Sequence, residues 1–534
     1  MVPGSSRSMK QSPGKTGDVL NCRVKAQYYD TAYSGASFRR KQLANWWPVR
    51  APADIDVIPD LGTLVARARD LDRNNGVAAG SFQSLDDNVV GIGLRLSPFP
   101  DYRALGRDIN WSEEWSRNVE SLWKAWADGT SCDAAGVQSF HDMTQLVFRS
   151  VLENGEALAL PMWLERAATP FRTCVQLIDT DRLVNPGSTL WFTKNLRGGV
   201  ELDDYGRPVA YYIQQIPDNL TFLVYTPFIG SAINWVRVPA ETTWGRKRVI
   251  HAFQKLRVDQ NRGVPILAPV IEQFRMLDAY QRTELQSSIV NALVAGVIET
   301  PMDPGGIAEM MNGNAKDYLT AKNEYRVELE GGTFIPLYPG DKLTPFTPMR
   351  PPGTFPAFVE TVLRQIGTAV GMPYELILKD FSKTNYSSAR AALLEAWRFF
   401  ITRRAWLAMH WAQPVYELWL EEAVNSGLID APDYYAQQQY YARAKWIGPG
   451  RGWIDPTKEA EAAILRMQGM LSTLEIECAE QGLDWNEVLE QRAIEQARMK
   501  ELNLEPPPLL QPKVTPVKEE APPPAAPGAR QEAA

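Results

Sequence analysis

Adjacent carboxylates occur at Asp86-Asp87, Glu113-Glu114, Asp203-Asp204 and Glu421-Glu422. Paired acids can divide the acid and nucleophile or base roles of glycoside hydrolysis, and 17 Trp would suit sugar stacking. The simpler reading of such pairs is solvated surface. The three histidines, His141, His251 and His410, stand apart, and Cys22, Cys132, Cys174 and Cys478 contain no C-x-x-C spacing. Without clustered partners they read as structural or surface residues, not as metal ligands. So few cysteines in so long a chain fit a reducing compartment. The sequence contains no P-loop, dinucleotide fingerprint, G-x-S-x-G elbow or H-E-x-x-H. The residues therefore predict no catalytic group, no metal and no cofactor.

At 534 residues the chain is too long for one core, and two to four domains are expected. Its net charge of −7 argues against a protein that grips nucleic acid by its phosphates, while allowing one that lets it slide past. Abundant aromatics point to large cores and buried interfaces. There is no run of 18 apolar residues, so no membrane span is expected. The opening MVPGSSRSMKQSPGKTGD lacks an apolar stretch and reads as a disordered arm over residues 1–25, not a signal peptide.

Hydrophobic periodicity places a helix at Asp54 to Asn75, with Leu61, Leu64, Val65 and Ala68 on one face and an αL stop at Asn74-Asn75-Gly76. A strand is expected from Asn88 to Leu96. Helices follow at Trp111 to Ala127, whose Trp stripe reads as packed core, and at Phe140 to Asn154. Strands are expected at Glu156 to Leu164, Arg172 to Asp179 and Arg248 to Phe253, with a hairpin over Gly198 to Ile213 turning at Asp203 to Pro208. A helix from Ala268 to Val294 leads to a strand at Ala295 to Glu299, a helix at Ile307 to Lys322 and strands at Tyr325 to Glu330 and Thr333 to Leu337. A Pro/Gly-rich stretch, Tyr338 to Thr354, precedes a helix at Pro356 to Val370. Beyond Gly371 lies a polar, turn-rich loop, then one very long helix from Ser388 to Ser426 with Trp397, Phe400, Trp406, Trp411 and Leu418 as buried candidates. Tyr440 to Ile447 reads as extended, Gly448 to Gly452 as a sharp loop and Asp455 to Leu502 as helical. The Pro/Ala/Glu-rich tail over 503–534 should be disordered.

In this order, RARDLDRNN (Arg67 to Asn75) with Asn88 to Gly91, GGVELDDYGRPVAYYI (Gly198 to Ile213), RGVPILAPVI (Arg262 to Ile271), GMPYELILKDFSKTNYSSAR (Gly371 to Arg390) and GPGRGWIDPTKEA (Gly448 to Ala460) resemble the lambda-type family of tailed-bacteriophage portal proteins. The resemblance spans roughly residues 25 to 500. It implies a non-enzymatic α+β portal fold that closes into a homo-oligomeric ring, usually of twelve subunits. The ring would sit at the portal vertex of the virion capsid after assembly in the bacterial host cytoplasm. Double-stranded DNA would pass through its channel during packaging and ejection. The implied partners are the terminase large subunit, major capsid and scaffold proteins, and head-completion or connector proteins, with no membrane. The implied domains are a wing over 26–255, a first stem helix over 256–294, a clip over 295–354 and a second stem helix over 355–371. A tunnel-loop region follows over 372–388, then a long wing helix and return strand over 389–454 and a helical crown over 455–502.

The resemblance makes Lys379, Asp380, Phe381, Ser382, Lys383, Thr384, Asn385 and Tyr386 a DNA-facing tunnel loop, in which the lysines would touch phosphates and the rings would brace loop or DNA. A loop that only packs against neighbours is the alternative. Arg275 and Arg282, one heptad apart on the first stem helix, and Glu284 would line the channel or bridge subunits. Two other readings remain: a carbohydrate-active enzyme using the paired acids, and another virion neck or baseplate protein.

Overall fold

The first long helix, α1 (Ala53–Asn74), buries Leu61, Val65 and Ala68 along the face that the periodicity predicts. The structure is a computed structural model that describes residues 33–167, 169–187, 193–215, 234–293, 296–299, 342–345, 355–452 and 455–504; for 290–293, 296–299 and 342–345 it describes the backbone alone. The chain forms two units, Met1–Pro52 and Ala53–Ala534. From residue 33 the first has a 3-10 turn at Ser34–Ala36 and a stacked Phe38–Trp47 pair with ring centroids 4.8 Å apart. The elements below belong to the second.

The expected αL stop after α1 does not form. Asn75 is extended (φ −120°), and its side-chain oxygen accepts from the backbone N–H groups of Val77 and Ala78, 3.1 Å each. It thereby caps a second helix, α2 (Gly76–Val89). The strand expected from Asn88 is therefore helix as far as Val89, and β1 begins only at Arg95 (Arg95–Pro98). A short apolar run does not by itself distinguish a buried helix end from a strand. Gly93 makes the change of direction at φ +114°, where an added Cβ would lie 2.2 Å from His141 Nδ1.

Helices α3 (Ile109–Ala127) and α4 (Phe140–Asn154) match their expected ranges and are capped by Asp108 and Ser139. The Trp stripe of α3 is core, as predicted. Trp123 meets Trp126, Phe140 and Trp419 at centroid distances of 5.0, 5.1 and 5.2 Å. Two buried indoles also bond their polar tips: Trp126 Nε1 donates to the Thr173 carbonyl and Trp411 Nε1 to Thr144 Oγ1, both at 3.0 Å.

The β-rich middle folds as two antiparallel sheets. One has the order β3-β2-β8, from β2 (Glu156–Trp163), β3 (Thr173–Ile178) and β8 (Ile250–Phe253). The other is the meander β4-β5-β6-β7: Leu196–Arg197, Val200–Leu202, Pro208–Gln214 and Trp235–Pro239. Its β5–β6 turn is the predicted hairpin, closed by Asp203 N–H on the Arg207 carbonyl. Leu158, Ile178, Val200, Leu202 and Ile213 share the small core of these sheets.

Helix α5 (Ile271–Leu293) follows a 3-10 turn at Ala268–Val270. It leads into β9 (Gly296–Glu299), which pairs antiparallel with β10 (Lys342–Pro345). β10 falls where only a Pro/Gly-rich connector was expected; Pro345 is its last residue, where a missing N–H is tolerated. The helix expected at 307–322 and the strands at 325–330 and 333–337 lie outside the described residues, as do the arm over 1–25 and the tail beyond Leu504.

Helices at Phe355–Val370 and Tyr374–Leu378 precede the long one. That helix runs from Tyr386 to Leu407, passes through a π segment at Ala408–Ala412 and continues to Asn425. The expected unbroken α-helix from Ser388 is thus corrected at both its start and its middle. Pro414 has no N–H to give to the preceding turn, and the wider π turn absorbs the defect. Phe400, Trp411 and Leu418 are buried, while Trp397 and Trp406 pack at the margin of the core. The expected extended run from Tyr440 is helical up to Tyr441 (Tyr434–Tyr441), and only Ala444–Ile447, β11, is strand, paired with β1. Helices Pro456–Gln468, Leu474–Glu480 and Trp485–Glu501 fill the C-terminal stretch, capped by Asp455, Thr473 and Asp484.

Candidate nucleic-acid interface

α5 and the helix Phe355–Val370 lie side by side. Tyr280 on α5 contacts the rings of Phe355 and Phe358, each at 5.4 Å, and the β9–β10 pair links their far ends. At ~1.5 Å per residue, the 23 residues of α5 span about 35 Å. The second helix buries Leu363, Ile366, Gly367 and Val370 on one face and exposes Phe358, Thr361, Arg364, Gln365 and Thr368 away from it.

The chain then reverses. Gly371 takes φ +79° against the Phe399 ring, which an added Cβ would meet at 2.6 Å. Met372 N–H caps back onto the Gly367 carbonyl at 2.9 Å. After Tyr374–Leu378, Lys379 adopts φ +55°, and Asp380 N–H bonds the Glu375 carbonyl at 3.1 Å. Asp380 accepts from Ser382 N–H at 2.9 Å, and hydrogen bonding from the Ser382 side chain, with that backbone N–H, holds its carboxyl below the usual carboxylate range. Thr384 Oγ1 donates to the Phe381 carbonyl at 2.9 Å. Asn385 closes the loop as a reciprocal cap with Ser388, accepting from Ser388 N–H at 2.9 Å. The loop therefore ends at Asn385, and Tyr386 to Ser388, expected as loop, form the first turn of the long helix. Asn385→Ala should cost about 1 kcal/mol, seen as a lowered thermal midpoint of the purified chain.

Lys379 to Asn385 form one turn at the surface and Tyr386 opens the helix beyond it, with Phe381 and Tyr386 half-exposed. Lys379 makes no ion pair among the described residues, but Lys383 Nζ is 2.9 Å from Glu360, which also pairs with Arg364 at 2.7 Å. The Glu360 hydrogen bond raises the Lys383 ammonium above its ordinary value, and the same bond lowers Glu360. Arg275 and Arg282 share one face, and both reach Asp278, at 3.6 and 3.1 Å, within their own helix. Glu284 is buried on α5, away from their exposed surface. The Glu360–Arg364 pair was legible in its i,i+4 spacing. The Lys383 contact, 23 residues away, was not.

The reading of the acid pairs as solvated surface needs correcting at two sites. Glu422 accepts from the N–H groups of Arg172 and Thr173 at 2.7 and 2.8 Å, and buried Glu421 pairs with Arg246. Asp86 pairs with Arg149 at 3.1 Å, and burial pushes its carboxyl up to about 6. These acids serve packing and pairing within the fold. His251 lies 3.1 Å from Glu156, and His141 lies 3.1 Å from Asp128. No group of three or more His, Cys, Asp or Glu among the described residues could hold a metal ion, and no described helix is long and apolar enough to cross a membrane.

The motif segments meet at joints. Arg262, from RGVPILAPVI, donates to Glu156 and to the carbonyls of Leu183 and Gly198, the last two at 2.7 Å. Gly198 opens the GGVELDD segment. Arg69, from RARDLDRNN, pairs with Asp181 at 2.6 Å and Asp179 at 3.1 Å. Arg404 donates to the carbonyls of Asn88 and Val89 at the end of α2, and Gly448 is packed against its guanidinium.

The sequence matches the family described as phage portal protein, lambda family, over residues 39–404. It is 32% identical over 485 residues to the portal protein of Escherichia phage N15, covering 87% of this chain and 90% of that one. It is 31% identical over 499 residues to portal protein B of Escherichia phage lambda, covering 90% and 92%. A solved chain from the neck of an empty gene transfer agent particle, computed with C6 symmetry, aligns at 14% identity with a TM-score of 0.38, over 69% of this chain and 84% of that one. The chain belongs to the lambda family of phage portal proteins.

Proposed function

We propose that copies of this chain, twelve in the virion, close into a ring at one capsid vertex through which double-stranded DNA is packaged and ejected. The observation that carries this reading is the family match over residues 39–404, which takes in both paired helices and the loop beyond them. In this reading α5 and Phe355–Val370 are the stem that walls the channel, and the segment joining them, with β9 and β10 at its base, is the clip. The mixed region before α5 and the long helix form the wing, the helices over 455–502 the crown, and Lys379 to Asn385 the tunnel loop. Cyclic closure would satisfy the exposed apolar side chains of the stem, among them Met276, Leu285 and Phe358. A net charge of −7 per copy favours passage of DNA over capture. The clip would receive the terminase large subunit, and later the head-completion and connector proteins. The wing would meet major capsid and scaffold proteins.

The role is structural in this reading, with no catalytic chemistry. In the helical stripe that could have formed a sugar platform, Trp115, Trp123 and Trp126 pack inside the core and Trp111 is half-buried at its edge, which counts against a carbohydrate-active enzyme.

Negative-stain microscopy of the purified chain tests the ring: particles with a central hole are expected, and a uniform monomer would sink the proposal. For the loop, Lys383→Glu should leave the ring intact and impair DNA packaging or retention. Normal packaging and retention by that variant would remove Lys383 from that role.

A further inference from the structure

Of the two loop lysines, only Lys383 is held by an acid among the described residues. Glu360 sits one helical turn before Arg364 on Phe355–Val370, and its two oxygens are divided between cations: Oε1 takes Arg364 and Oε2 takes Lys383. The Glu360 side chain is 13% exposed, against 64% for Lys383 and 58% for Arg364. The acid is thus covered by the cations it neutralises. Arg364 is steadied in turn by the Tyr374 ring, 5.2 Å from its guanidinium, and Tyr374 begins the short helix that leads to the loop. The loop's own acid, Asp380, is occupied by Ser382 N–H. The Lys383–Glu360 pair is therefore the side-chain ion pair that ties the loop back to the helix among the described residues.

We propose that Glu360 is a positioning residue for the DNA path: it holds the loop against the helix and masks the Lys383 charge, so that Lys379 is the lysine the resting loop offers to phosphates. This rests on the tunnel-loop reading above. Physically, a channel that must let DNA move in both directions gains from weak phosphate contacts. An exposed ion pair is a low barrier, so passing phosphates can compete with Glu360 for Lys383 without trapping the duplex.

The experiment measures binding of a short linear duplex to the purified full-chain ring across a salt series, after microscopy shows that each variant forms rings. Glu360→Gln should bind more tightly at low salt. The slope of log affinity against log salt should steepen by about 0.9 for each Lys383 that engages a phosphate. Adding Lys383→Gln to Glu360→Gln should abolish that gain, and Lys379→Gln should weaken binding. A Glu360→Gln gain that persists in the double variant would overturn the proposal, because it would come from general charge removal. So would an unchanged Glu360→Gln alongside weakened Lys379→Gln and Lys383→Gln variants, which would leave the tunnel-loop reading standing with Lys383 already engaged. No response from any variant would remove both.

Discussion

Arg262→Ala should destabilise the purified chain by about 3–5 kcal/mol, as expected when one partner of a buried ion pair is removed. Arg262 and Glu156 are both buried, with side-chain exposures of 7% and 1%. The guanidinium gives Nη2 to Glu156 Oε1 at 2.5 Å and Nη1 to two carbonyls, while Gly263 N–H reaches Glu156 Oε2 at 2.9 Å. Truncation would strand a buried carboxylate and the carbonyls of Leu183 and Gly198 together. Arg262→Lys keeps the charge but lacks the fork of donors, so it should lose most of the same stability. Burial would raise the Glu156 carboxyl, but Arg262 and His251 outweigh it and hold the group down at about 2, against an ordinary 4.5. A depressed acid contributes stability above its unfolded value, so this contribution is whole above about pH 4.5 and fades as pH falls towards about 2. Urea titrations of wild type and Arg262→Ala at neutral and acidic pH check both claims. Equal midpoints at neutral pH would refute the joint, and a gap that fails to narrow on acidification would refute the linkage.

That cluster marks how far the sequence could be read. Amphipathic periodicity located α1, α3, α4 and Phe355–Val370, because each presents one face to a core. It failed at Val89 to Leu96, where an apolar run ends one helix and starts a strand, and at Ala408–Ala412, where Pro414 changes the helical pitch without changing the pattern. The family motifs were legible as strings, while their physical task was not. Arg262, Gly198, Arg404 and Gly448 act across long sequence separations, fixing one segment against another. Such a joint has no local spacing, so one sequence shows the residues and not their partner. The loop divides in the same way. Its composition showed a polar turn, the Asn385 cap that ends it was not read from the sequence, and the Glu360 contact depends on how the chain folds back. Glu421-Glu422 shows the reverse error: a polar dipeptide reads as surface until the free N–H groups of Arg172 and Thr173 are found waiting for it.

The helix Trp485–Glu501 should loosen from the body as pH rises through about 7, the value to which burial, helped by Asp484, Glu487 and Glu490 and opposed by Lys124, pushes Glu120 from an ordinary 4.5. The helix has no buried residue, so little apolar area holds it. Its seam with α3 and β1 is made of charges. Lys124 pairs with Glu487, Arg95 reaches Glu487 at 3.2 Å, and Arg117 reaches Glu490 at 3.5 Å while also facing Glu113 at 3.9 Å. Buried Asp484 caps the helix, and the Glu120 charge also acts on Tyr416 of the helix Gln413–Asn425. The three cations thus pair with Glu487, Glu490 and Glu113, Asp484 makes no ion pair among the described residues, and an ionised Glu120 adds a further negative charge to an already acidic seam. A raised acid stabilises the docked state when protonated. The contribution is whole below about pH 4.5 and lost above about pH 7. At 1.36 kcal/mol per unit and after solvent screening, that is about 1–2 kcal/mol, enough to change the docked-to-free ratio roughly ten-fold. Hydrogen exchange of peptides from 485–501, corrected for the intrinsic effect of pH, should show protection falling across this window in the wild type. Glu120→Gln should stay protected throughout, since its amide never ionises. Equal protection on both sides of pH 7, or the same fall in Glu120→Gln, would show that the seam does not sense this proton.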